Sequence, residues 1–296
     1  MANACPIRMM SNYAHGRFHC GTLPAVFGWA RPLDWMKIVV SPSFIIFYPS
    51  SDTSKPLVVC GTRKECRSRM HYNTFYTAAK TGIPIPRTRL QFRWDGATHI
   101  IMDRVCGKAL VDLWWGLSEA SKDKVVVQLA EYIRQLRSIP PPPGTSICSI
   151  LGGPVYCWRL HQWEPLTGPF RDEQHMNLQL RNLQPVDVFA DVVKEAHAKS
   201  HPLVFTHNDF MTRNIMARED GTITGIIDWE CAGWFPAHWE YCKTMNWGNW
   251  RSDNREWYPW VHRFILAYEL EAEADRALLN SFMLRRFTPR RNITDE

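Results

Sequence analysis

Apolar and polar positions along the chain predict short strands first and helices later. Residues 1–35 show no period and read as an irregular arm rich in Gly, Pro, His and Asn. MKIVVSPSFIIFY at 36–48 predicts two short strands around a Ser-Pro-Ser turn, and Leu57 to Cys60 a third. PSSDTSKP at 49–56 is loop by composition. Residues 65–81 fit a helix with Met70, Phe75 and Ala78 on one face. In TGIPIPR at 81–87 two prolines impose an extended path, and THIIMDRV at 98–105 reads as a buried strand.

The clearest helix covers 118–138. Ser118 suits an N-cap, and Val125, Leu129, Tyr132 and Leu136 recur on one face until Pro140 to Pro143 stop the helix. Residues 144–184 are long and irregular, as expected of a surface connection or of part of a binding wall. Residues 187–199 predict an amphipathic helix. Residues 255–284 predict another, with Trp260, Phe264, Ala267 and Leu270 toward the core.

Between these helices lies PLVFTHNDFMTRNIMAREDGTITGIIDWECAGWFPAHWE, residues 202–240. One apolar run, Leu203 to Phe205, leads into His207, Asp209 and Asn214. A second, Ile223 to Ile227, leads into Asp228. Glu219 Asp220 Gly221 supplies a turn, so the two runs are expected to pair as a hairpin with acidic and amide groups at its mouth. An Asp, an Asn five residues on and a later strand-borne Asp form a pattern used for phosphoryl transfer. The first Asp, Asp209, orients the acceptor hydroxyl, while Asn214 and Asp228 are the expected Mg²⁺ ligands. His207 is expected to brace the loop rather than move protons. Arg213 has two readings, balancing phosphate charge or pairing with a nearby carboxylate. Trp229 reads as packing, and Glu230 either orients the loop or faces the acceptor.

THNDFMTRN followed by GIIDWE resembles the catalytic core of the aminoglycoside phosphotransferase family, part of the wider group with a protein-kinase-like fold. TGIPIPR with HIIMDRVCGKAL resembles the same family, and SIPPPPG, GGPVYCWRL and GPFRDEQ resemble a branch of it frequent in fungi. The resemblance implies an α+β fold of two lobes, a small β-rich N-lobe over 36–105 and a larger, mostly helical C-lobe over 106–296. It also implies ATP and Mg²⁺ as cofactors and a hinge at Met102 to Cys106, so that Met102, Asp103, Arg104 and Val105 meet adenine. Catalytic roles are implied for Asp209, His207 and Arg213. Glu230, Trp234 and Trp239 are implied to lie beside the acceptor.

Composition narrows the function classes. The 296 residues carry a net charge of +6, partly from the Arg-rich tail, and no long basic run with interleaved aromatics suggests nucleic acid as a partner. Nine cysteines without a C-x-x-C pair fit reduced thiols in a cytoplasmic protein. The opening residues lack the apolar segment of a signal peptide, and Phe44 to Tyr48 is too short to cross a bilayer, so no membrane partner is expected. Of the 14 tryptophans seven cluster in 229–260, which suits either an aromatic core or a pocket for a flat substrate. His197, His201 and His207 include an i, i+4 pair, but no H-E-x-x-H accompanies it. There is no G-x-S-x-G and no P-loop motif.

One half of a nucleotide site is missing. A kinase-like N-lobe uses a strand Lys on the phosphates and a helix Glu that pairs with it. Two alignments put Phe47 or Val59 at the Lys position, and Met70 falls near the Glu, with Glu65 close by. Lys37, Lys55 and Lys64 are off pattern. Three functions therefore stay open: an ATP/Mg²⁺-dependent small-molecule O-phosphotransferase, a repurposed enzyme doing ATP-independent acid/base chemistry on a secondary metabolite, and a pseudokinase binding module.

Overall fold

The early apolar runs pair into one antiparallel sheet. A computed structural model describes residues 36–41, 44–49, 57–62, 67–94, 97–157, 159–160, 166–246 and 257–287. Strands β1 (Met36–Ser41), β2 (Phe44–Pro49), β3 (Leu57–Thr62), β4 (Thr88–Trp94) and β5 (Ala97–Asp103) lie in the order β1-β2-β3-β5-β4. The expected arm at 1–35 and the positions of Lys55, Lys64 and Glu65 lie outside the described residues. For Lys37, Phe47, Val59 and Met70 only the backbone is described.

Helix α1 (Arg67–Lys80) runs between β3 and β4. Its expected apolar face is not the buried one. Phe75 is 70% exposed and Ala78 is exposed, whereas Asn73, Thr74 and Thr77 are buried. The reason is polar. Asn73 Nδ2 donates to the carbonyls of Trp229 at 2.7 Å and Ala232 at 3.3 Å, so this helix docks by satisfying buried carbonyls. Hydrophobic periodicity does not detect such a face.

After β5 the chain passes into β6 (Lys108–Ala109), α2 (Leu110–Leu113) and α3 (Glu119–Ser138). Ser118 caps α3 as expected, its hydroxyl accepting from the Ser121 amide at 3.2 Å. The buried stripe of α3 is Val125, Val126, Leu129, Ile133 and Leu136, with Tyr132 only half-buried. Strands β7 (Cys148–Ser149), β8 (Val155–Tyr156) and β9 (Leu166–Thr167) precede α4 (Glu173–Leu180) and α5 (Asp191–His197). The helix expected from 187 thus begins at 191.

The next strands correct the expected hairpin. β10 (Leu203–Thr206) does not pair with the Ile223 run. It pairs with β13 (Gly233–Pro236), Leu203 opposite Pro236 and Thr206 opposite Gly233. The hairpin is instead β11 (Ile215–Ala217) with β12 (Ile223–Ile226), and β11 also pairs with β6. The Arg218–Thr222 turn closes it, with Gly221 at φ +77°. The residues between β10 and β11 form a loop that redirects the chain, which alternation alone does not reveal.

Helices α6 (Trp239–Asn246), α7 (Tyr258–Val261) and α8 (Glu269–Phe287) complete the fold. The single helix expected at 255–284 is therefore broken. Phe264 is buried, but Ala267 is exposed in the segment between α7 and α8. One apolar cluster joins α3 to Phe205, Phe210, Trp229 and Trp234. A second joins Phe170, Met176, Val193, Phe235 and Trp239 with α8. A five-stranded sheet with one helix followed by a largely helical part is the α+β arrangement that the resemblance implied. Among the described residues no helix is long and apolar enough to cross a membrane.

Candidate active site

The candidate site is the loop between β10 and β11 together with the end of β12. Asn208 and Asp228 both take left-handed backbone conformations, φ +63° and +65°. Such values are uncommon outside glycine and most tolerated by Asn and Asp. The Ile227 amide donates to Asn214 O at 2.9 Å, which ties the end of the loop to the residue before Asp228.

Asp209 is held on two sides. Arg213 Nη2 lies 2.6 Å from each of its carboxylate oxygens, and Asn214 Nδ2 donates to Oδ2 at 2.8 Å and to the Asp209 carbonyl at 2.9 Å. Burial alone would raise the Asp209 carboxyl. The charges of Arg213 and Lys243 and the Arg213 hydrogen bond outweigh it and hold the group below its ordinary range. The site thus keeps an ionised carboxylate 14% exposed beside a guanidinium 51% exposed. Of the two readings of Arg213, carboxylate pairing is the one seen in this conformation.

His207 is fully enclosed. Its Nε2 is 2.9 Å from Ile227 O, and its ring packs against Trp229 at 4.5 Å. Burial pushes its pKa down to about 4, so a neutral imidazole donates Nε2–H to that carbonyl. These contacts are those of a brace between the loop and the Asp228 segment.

Several expected site residues lie elsewhere. Trp234 and Trp239 are 2% and 1% exposed and sit within the two apolar clusters, where both serve packing. The Trp239 indole N–H also donates to Asn208 Oδ1 at 2.7 Å. Trp-rich composition here serves packing and loop support, because large aromatics supply most buried area. Glu230 is partly exposed in the turn after Asp228. In the expected hinge, the Asp103 amide already donates to Arg87 O at 2.9 Å, and its carboxylate pairs with Arg89 at 2.6 and 2.8 Å. Met102 is paired within the sheet, and Arg104 and Val105 follow it toward β6. Thr224 Oγ1 donates to Cys106 O, which fastens this segment to β12.

Sequence reasoning missed two charged residues that support the loop. Glu240 on α6 is 2% exposed and accepts from the backbone amides of Asn208 at 2.9 Å and Phe210 at 3.3 Å. Lys243, one turn further along α6, is 4% exposed, with Nζ 3.6 Å from Cys157 Sγ. Burial would lower the Lys243 ammonium, but Cys157, Asp209, Cys231 and Glu240 outweigh it and raise its pKa. The available signal was two opposite charges three residues apart in an otherwise apolar stretch, WEYCK. Asn73 was missed for the reason given above.

The lysine–acid pair of a kinase-like nucleotide site is absent from the elements where it was sought. Neither β2 nor β3 contains Lys, and α1 contains neither Asp nor Glu. β1 carries Lys37, opposite Tyr48 of β2.

Comparison with known proteins agrees with the fold. The model of the APH phosphotransferase enzyme family matches residues 69–279. No curated protein matches the chain. Among solved structures, a thermostable mutant of aminoglycoside phosphotransferase APH(4)-Ia in its apo form shares 17% identity at a TM-score of 0.55, covering 85% of this chain and 86% of that one. A ternary complex of that enzyme with AMP-PNP and hygromycin B gives 16% identity and a TM-score of 0.54, with 85% of each chain covered. An aminoglycoside-3'-phosphotransferase of type VIII gives 14% and 0.53, over 82% of this chain and 93% of that one. At such identities the structures speak for the fold alone, whereas the family model spans the sheet-to-helix transition, the loop of Asp209 and Asn214, and Asp228. The chain belongs to the APH phosphotransferase enzyme family.

Proposed function

We propose that this chain is an ATP- and Mg²⁺-dependent O-phosphotransferase acting on a hydroxylated small molecule. The observation that carries the reading is the ionised Asp209 carboxylate, oriented by Arg213 and Asn214 on a loop tied to the Asp228 segment.

Hard oxygen donors suit Mg²⁺. Asn214 commits its Nδ2 to Asp209, which leaves its carbonyl Oδ1 as the atom for a cation, and Asp228 offers a carboxylate. Mg²⁺ carrying the ATP phosphates supplies charge neutralisation at the transferring phosphoryl group. Asp209 orients the acceptor hydroxyl and takes its proton as the new O–P bond forms and the bond to the leaving diphosphate breaks. Arg213 holds that carboxylate ionised until the acceptor arrives. His207 keeps the loop in register, and the backbone of residues 102–105 is the proposed adenine contact. The ternary complex of a similar structure with AMP-PNP and hygromycin B supports a nucleotide donor and a small-molecule acceptor.

Incubation with ATP, Mg²⁺ and a panel of alcohols is expected to yield a phosphorylated product that disappears in Asp209→Ala. A second reading rests on the absence of the lysine and acid from β2, β3 and α1. The same cleft would then do acid/base chemistry without nucleotide. Calorimetry decides between the two: micromolar Mg·ATP binding supports the kinase, whereas no binding together with nucleotide-free turnover supports the second reading.

A further inference from the structure

Three potential metal-ligand side chains converge at the end of the β10–β13 pair away from Asp209. Glu173 opens α4, His201 precedes β10, and His238 follows β13 at the start of α6. Their donor atoms form a small triangle: Glu173 Oε1 lies 2.8 Å from His201 Nδ1 and 3.5 Å from His238 Nδ1, and the two ring nitrogens are 3.2 Å apart. A tetrahedral zinc ion at about 2.0–2.2 Å from each donor requires donor spacings of about 3.3 Å. All three side chains are nine-tenths or more buried.

The surrounding contacts fix the donors. Glu173 Oε2 accepts from the His201 amide at 2.7 Å, which turns Oε1 toward the rings. His201 Nδ1 donates to Glu173 Oε1 at 2.8 Å, and Glu271 Oε1 lies 3.3 Å from Nε2 on the other side of the ring, so a cation that replaces the Nδ1 proton leaves the remaining Nε2 proton facing a carboxylate. A carboxylate behind a ligating imidazole is the usual support of a zinc-bound histidine. A cavity bordered by Glu173, His197, His238, Trp239, Glu271 and Asp275 adjoins two of the three donors.

We propose that Glu173, His201 and His238 form a zinc site, with Glu271 orienting His201. It cross-links α4, the segment before β10 and the start of α6. Because α6 also carries Glu240, the ion would steady the helix that holds the loop of Asp209. His197, four residues before His201, is not a ligand, since its Nδ1 faces Arg181 Nη1 at 2.7 Å. The ligands come from three distant positions, so no spacing motif announces them.

The test uses the full chain, freed of metal by chelation and kept reduced, then titrated with Zn²⁺ and with Co²⁺. One equivalent of zinc is expected to bind and to raise the thermal midpoint. Cobalt is expected to give the visible bands of a four-coordinate nitrogen and oxygen site without a thiolate charge-transfer band. His238→Ala should lose at least tenfold in zinc affinity, and Glu271→Gln should lose about 10- to 100-fold with every ligand still present. Failure of micromolar zinc to bind, wild-type affinity in His238→Ala, or a thiolate band from the cysteines would overturn the proposal. If His238→Ala does not fold, Glu271→Gln decides: unchanged affinity there also overturns it.

Discussion

Glu240→Gln isolates what a buried carboxylate does for the loop of Asp209. Glu240 is 2% exposed, and its two oxygens accept from Asn208 N at 2.9 Å and Phe210 N at 3.3 Å. Glutamine keeps the shape but only one acceptor oxygen, so its NH₂ must face one of the two amides. The amide orientation that loses least keeps the shorter bond to Asn208 and leaves Phe210 N–H unpaired. An unsatisfied buried donor costs about 1–3 kcal/mol, and the length of the lost bond argues for the lower part, about 1–2 kcal/mol. For a chain of this size that corresponds to a fall of roughly 2–8 °C in thermal midpoint. Displacing the loop by about 1 Å would cost on the order of 10²-fold in turnover. Circular dichroism melting and the turnover number for the proposed transfer measure the two effects. An unchanged midpoint together with unchanged turnover would refute the assignment of Glu240 to the loop. A lower midpoint with full turnover would reduce it to a packing group.

Other expectations follow from the same contacts. Asn73→Ala removes the donor to Trp229 O and should cost about 1–3 kcal/mol in stability, measured by urea unfolding; a change below about 0.5 kcal/mol would mean that α1 docks by other contacts. Gly107 has φ +100°, and a Cβ there would meet Ala217 O at 2.3 Å, so Gly107→Ala should disrupt the β6–β11 pairing and lower soluble yield and midpoint; a wild-type midpoint would refute this geometry. His197 and His207 both titrate at about 4 in the fold because burial disfavours their charged forms, against about 6.5 for a free imidazole. Between those values the unfolded chain binds protons that the folded one does not, so stability is retained above pH 6.5 and falls as pH drops toward 4. Denaturant midpoints across that window should show the fall, and His207→Gln should make it shallower, His197 keeping its share; a parallel profile for the variant would refute the role of His207. Asp209, held low, has the same sign in a more acid window: its contribution is present above the ordinary aspartate range and is lost only as pH falls through its lowered value.

Local sequence determined the elements and the chemical identity of the loop. The alternating runs at 36–48 and 57–60, the prolines of 81–87 and the capped stripe of 118–138 act through neighbouring residues, so each was legible. Asp209, Asn214 and Asp228 could be picked out together because they fall in one short stretch of the chain, where Asn214 then bonds Asp209 and ties to Ile227. Tertiary structure decided what depends on partners distant in the chain. It paired β10 with β13 rather than with the Ile223 run, because the intervening loop turns the chain aside. It buried the polar face of α1, because carbonyls of residues 229 and 232 needed donors there. It enclosed Trp234 and Trp239 and brought Glu240 beneath Asn208 and Phe210. And it joined Glu173, His201 and His238 into one triangle, since hydrogen bonds and ligand sets are closed by distance in space, to which spacing along a chain gives no access.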